Sequence, residues 1–116
     1  AKGASKEDKT VIGGVIGTLD GYYDLYFTGY QKNFPTNHLV VTKNSIIAYS
    51  SDSKITEKEF NEHMKDILNK ERIPDITVKL FTDRDKYINR LKELNQSEAN
   101  TTDRKDIVNM LFNVSL

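Results

Sequence analysis

The sequence predicts an α+β domain: front strands, a hairpin, then helix, strand, helix, strand, giving a mixed sheet with two helices packed on one face. Three observations carry this. All six glycines fall within residues 1–29, so a glycine-punctuated front precedes a glycine-free remainder. That remainder alternates helical and strand periodicities, and a strand, helix, strand passage implies a parallel pair joined by a crossover. The length of 116 residues fits one ordinary core. Residues 1–9 read as a flexible polar tether and residues 10–116 as the single domain.

In the front, Val11-Ile12-Gly13-Gly14-Val15-Ile16-Gly17 reads as a flexible or bulged strand. Tyr22 to Thr28 reads as a second strand, with Tyr23, Leu25 and Phe27 entering the core and Tyr22, Asp24, Tyr26 and Thr28 facing out. Helical spacing through Val11, Val15, Leu19, Tyr22 and Tyr26 is the competing pattern, but each internal glycine costs a helix ~1 kcal/mol relative to alanine. Leu39 to Val41 and Ile46 to Tyr49 are two short β-branched runs around Thr42-Lys43-Asn44-Ser45, a hairpin turn in which asparagine tolerates positive φ.

The best-defined element starts at Ile55-Thr56-Glu57-Lys58-Glu59-Phe60. Thr56 and Glu59 form a capping box, and Ile55 and Phe60 occupy the positions of a hydrophobic staple. Phe60, Met64, Ile67 and Leu68 follow at helical spacing, and Pro74 ends whatever has not stopped near Lys70. Ile76, Val78 and Leu80 alternate as a strand. Thr82 then caps a second helix with a stripe of Tyr87, Ile88, Leu91 and Leu94, and Asn95 to Arg104 is a polar loop. Val108, Met110, Phe112, Val114 and Leu116 alternate at period two and predict a buried final strand. The alternative is a helix through Ile107, Met110, Leu111 and Val114, capped by Asp103.

Composition excludes several classes. Seventeen Lys plus Arg balance seventeen Asp plus Glu, so no net field draws the chain to nucleic acid. The absence of cysteine removes disulfides, thiolate metal sites and cysteine nucleophiles together. The longest apolar run, Val11 to Leu19, is about half the ~20 residues a membrane-spanning helix needs. No signal peptide is read. No phosphate-binding loop, dinucleotide fingerprint or glycine-flanked serine is present, so no cofactor is expected. His63, with Glu59 and Asp66 on the same helix, could converge on a cation, but a salt-bridged helix face explains the same residues and no metal is expected. His38 is expected at the surface.

One segment departs from a plain scaffold. Asp20, Tyr22, Tyr23, Asp24, Tyr26, Phe27, Tyr30 and Phe34 crowd into fifteen residues. Asp20, Tyr22, Asp24, Tyr26 and Tyr30 are the candidate binding residues, because tyrosine offers contact area and a hydroxyl at low entropic cost. The expectation is a noncatalytic binding module with a protein or cell-envelope partner. A charged tether before a domain rich in Lys, Asn, Thr and Tyr suggests the extracytoplasmic, lipoprotein-like part of a Gram-positive bacterial protein, tethered to the membrane at its N-terminal end. A cytoplasmic location is the alternative. The functional alternatives are a small hydrolase and an inhibitor or immunity factor of a phage or mobile element.

Overall fold

The computed structural model describes residues 5–17, 19–28, 32–52, 54–96 and 104–115. In chain order they form α1 (Lys6–Gly13), β1 (Asp20–Thr28), β2 (Asn33–Val41), β3 (Ser45–Tyr49), α2 (Glu57–Lys70), β4 (Thr77–Phe81), α3 (Arg84–Asn95) and α4 (Lys105–Val114). The strands make one mixed sheet in the order β1-β2-β3-β4. β1, β2 and β3 pair antiparallel, and the expected hairpin is present with Val41 opposite Ile46 and the Thr42 N–H donating to the Ser45 carbonyl. β3 and β4 pair parallel through the α2 crossover.

The α+β class and the mixed sheet are as the sequence predicts, but the helices divide between both faces. Leu39, Val41, Ile46, Ala48, Val78 and Leu80 pack with Phe60, Met64 and Leu68 of α2 and Ile107, Met110 and Leu111 of α4. Val40, Ile47 and Tyr49 turn the other way, onto Ile12 of α1 and Tyr87, Ile88 and Leu91 of α3. The reason lies in the unbroken runs Leu39-Val40-Val41 and Ile46-Ile47-Ala48. Neighbouring strand residues point to opposite faces, so a continuous apolar run needs cover on both.

Three expected elements change type or extent. Residues 108–114 belong to α4, not to a strand: Ile107, Met110 and Leu111 are buried at helical spacing, while Phe112, which the strand pattern placed inside, is half exposed. The Val11 to Gly17 stretch is not a strand either. Its first part completes α1, whose end falls at Gly13 and Gly14, where glycine is a good helix terminator. Residues 5–9, read as part of a flexible tether, instead open that helix, with Ser5 as its N-cap. Asp8 N–H donates to Ser5 Oγ at 3.0 Å and Ser5 N–H to Asp8 Oδ2 at 3.2 Å, a capping box that satisfies two otherwise orphan amides.

The capping box of α2 is as expected, with Glu59 N–H on Thr56 Oγ1 at 3.1 Å and Ile55 and Phe60 both buried. α3 is capped one residue later than expected. Asp83 Oδ1, rather than Thr82, accepts from the amides of Asp85 and Lys86.

The outward alternation predicted for β1 fails at Asp24. Leu25 and Phe27 join the α2/α4 side, Tyr22 packs against that same side, and Tyr23 lies on the α1/α3 side. The change of parity coincides with Asp24 at φ 58, the left-handed region that aspartate tolerates better than most residues. β2 changes parity at the same level: Phe34 and Leu39 share a face although five residues apart. The pairing register is the same on both sides of the kink, with Tyr23 opposite His38 and Leu25 opposite Thr36.

Candidate functional site

β1 is an edge strand, and α4 covers its α2-side face. Tyr22 meets Phe112 edge to face, with ring centroids 5.1 Å apart at 84°. Phe112 is 50% exposed, the large hydrophobic side chain left in solvent among the described residues. At the other end of the strand, Tyr26 N–H donates to Ser115 Oγ at 2.9 Å, and Ser115 pairs with Phe27 where the chain leaves α4. An aromatic pair therefore sits at the corner between sheet edge and helix.

The sequence candidates separate around this corner. Asp20 opens β1 opposite Val41 and Tyr22 joins Phe112, both on one stretch of strand. Asp24 is turned by its positive φ toward α1, where its carboxylate lies 3.6 Å from Lys9 Nζ. Tyr26, between Leu25 and Phe27, presents its ring to the opposite face of the sheet. Tyr30 lies outside the described residues. Phe34, from the same aromatic segment, is buried against Phe60 at 6.0 Å. The period-two pattern at the C-terminus pointed Phe112 inward, so only its helical alternative could have revealed it.

A second polar cluster lies on the α1/α3 face. Asp8 is almost fully buried and accepts from Arg84 Nη1 at 3.1 Å and Asn37 Nδ2 at 3.2 Å, while Arg84 Nη2 reaches Glu7 at 2.7 Å. Burial alone would raise the Asp8 carboxyl, but hydrogen bonds from Arg84, Ser5 and Asn37 outweigh it and hold its pKa below the ordinary value. Asn37 also ties in Ser51, whose N–H donates to its Oδ1 at 3.0 Å. The sequence signal for this cluster was present in Ser5-Lys6-Glu7-Asp8 as an aspartate capping box ahead of an apolar run.

His38 is not at the surface. It is 1% exposed, with Nδ1 2.7 Å from the Tyr87 hydroxyl and its ring 4.5 Å from that of Tyr23. Gly21 on the neighbouring strand makes room: a Cβ there would stand 2.7 Å from His38 Cε1. Burial lowers the imidazole pKa to about 4. Burial also pushes Tyr87 well above its ordinary value, so that both groups of this pair are neutral near pH 7.

The residues weighed as a cation site are each engaged elsewhere. His63 stacks on Phe34 at 4.9 Å, Glu59 binds Lys32 at 2.8 Å and its own helix cap, and Asp66 pairs with Lys70 at 3.0 Å. Among the described residues no helix is long and apolar enough to cross a membrane. Comparison with protein-family models, curated proteins and solved structures finds no match.

Proposed function

We propose that the chain is a noncatalytic interaction module that binds a protein partner through the β1–α4 corner, centred on Tyr22 and Phe112. The observation that carries this is Phe112 itself. Its helix buries Ile107, Met110 and Leu111, yet leaves this ring half in water against Tyr22. Exposed aromatics that cluster at one place are the residue types that dominate binding energy when a partner desolvates them. Asp20, at the head of the same strand, adds an acidic flank suited to a partner carrying lysine or arginine. Both histidines support a noncatalytic reading, since His38 is sealed against Tyr23 and Tyr87 and His63 is stacked on Phe34.

The test is cross-linking in the source cells with the parent chain and with Phe112→Ser, followed by identification of what is joined. A protein recovered with the parent and lost with the variant, at equal thermal stability, supports the reading. Equal recovery with both refutes it. We further propose an extracytoplasmic location, supported by the Lys-, Asn-, Thr- and Tyr-rich character of the chain. Recovery of the native protein in the cytoplasmic fraction would count against that.

A further inference from the structure

We infer that α1 is a strap, held down largely by charge over a tyrosine-rich face of the sheet, and that it opens while the rest of the domain stays folded. The other three helices each bury three large side chains in the core. α1 buries two, and one of them is the carboxylate of Asp8; the other is Ile12. An eight-residue helix is too short to persist in water by itself, so its attachment decides whether it exists.

That attachment is polar along most of its length. Asp8 binds Arg84 and Asn37, Glu7 binds Arg84, Lys9 pairs with Asp24, and the Tyr23 hydroxyl donates to the Lys9 carbonyl at 3.4 Å. Water competes for several of these groups, because the side chains of Glu7 and Lys9 are 70% and 52% exposed. Behind the helix comes a hinge. Gly13 and Gly14 end it, and Gly17 takes φ 55, where a Cβ would stand 2.5 Å from Asn95 Oδ1. Asn95 in turn donates to the Ile16 carbonyl at 3.0 Å, which fixes the far side of the hinge to α3. The strap is thus pinned at one end by Asn95 and at the other by Asp8, with glycines between.

Beneath it lies Tyr23, with the Lys9 ammonium 5.8 Å from its ring centroid and its own ring against His38; farther along the same face Tyr49 is covered by Tyr87 of α3, stacked on it at 5.4 Å. Opening bares Tyr23 together with Arg84 and Asn37, the two donors that Asp8 now occupies. A segment with one buried apolar side chain, solvent-accessible anchors and glycines behind it belongs to the low-stability end of a native structure.

Amide hydrogen exchange on the full chain tests this. Residues 9–13 are expected to exchange at least a hundredfold faster than residues 38–41 and 46–49, and Arg84→Gln to raise exchange in 9–13 a further tenfold or more without changing the strands. Should Arg84→Gln fail to fold, Glu7→Gln removes only the exposed half of the anchor and is expected to give a rise of about threefold. Nitration of Tyr23 by tetranitromethane should accelerate in the same variant while that of Tyr22, on the other face, stays constant. Exchange of 9–13 at the rate of the strands, acceleration of both sets together, or unchanged Tyr23 nitration would each overturn the inference.

Discussion

His38 supplies the sharpest quantitative expectation. Its imidazole titrates at about 4 in the folded chain because burial disfavours the cation, against about 6.5 when the chain unfolds. The unfolded state therefore takes up the proton first, and folding loses free energy as pH falls. This contribution to stability is complete above pH ~6.5 and is lost progressively down to pH ~4, a gap of about 2.5 pH units at ~1.4 kcal/mol each, or about 3 kcal/mol in all. Between pH 7.5 and 5 the loss should be about 2 kcal/mol. The carboxylates with lowered pKa, Asp8, Glu59 and Asp106, act in the same direction but at lower pH, since each begins to lose its contribution only as pH falls through the ordinary carboxylate value and loses it fully below its own lowered one. His63, also lowered by burial, shares the window and needs its own control. Urea unfolding at pH 7.5, 6.5, 5.5 and 5 for the parent, His38→Gln and His63→Gln separates the two. The parent and His63→Gln should show the slope, and His38→Gln should lose most of it. An NMR midpoint for His38 near 6.5, or a slope unaltered in His38→Gln, would refute the sealed, neutral imidazole.

Three substitutions probe the packing. Gly21→Ala should cost ~2 kcal/mol in chemical denaturation, since its methyl would stand 2.7 Å from His38 Cε1 and 2.8 Å from Nε2 in a closed site; a neutral outcome would mean that the ring moves freely. Phe60→Ala, at a fully buried ring between Phe27 and Phe34, should cost ~3–5 kcal/mol, against ~1 kcal/mol for Thr56→Ala at the helix cap. Comparable small losses at both would contradict the staple. On α4, Leu111→Ala should cost ~2–4 kcal/mol and Phe112→Ala less than ~1 kcal/mol by thermal melt. The reverse order would restore the strand reading of that segment.

What was legible in the sequence was whatever local chemistry alone decides. Thr56 and Glu59 form their box from neighbours three residues apart, the stripes of α2 and α3 follow from helical periodicity, and the turn at Thr42 to Ser45 follows from the apolar runs on either side of it. The candidate surface was legible only in part: Tyr22 was named, but its partner Phe112 was not. At residues 107–114 two periods coexist, sharing Met110 and Val114, and no local signal chooses between them. The choice was made by the face of β1, β2 and β3 that α2 leaves for Ile107, Met110 and Leu111 to cover. Likewise Asp24 switches the faces of β1 through one backbone angle, which reversed the side on which Leu25 and Phe27 were paired with Tyr23. His38 reads as a polar residue after Pro35 until Gly21 is seen diagonally across from it on the neighbouring strand, because a glycine in one strand opens space only for a side chain on the next. Local bonds were written in the sequence; the filling of space between distant residues belonged to the tertiary structure, because burial depends on what arrives from elsewhere in the chain.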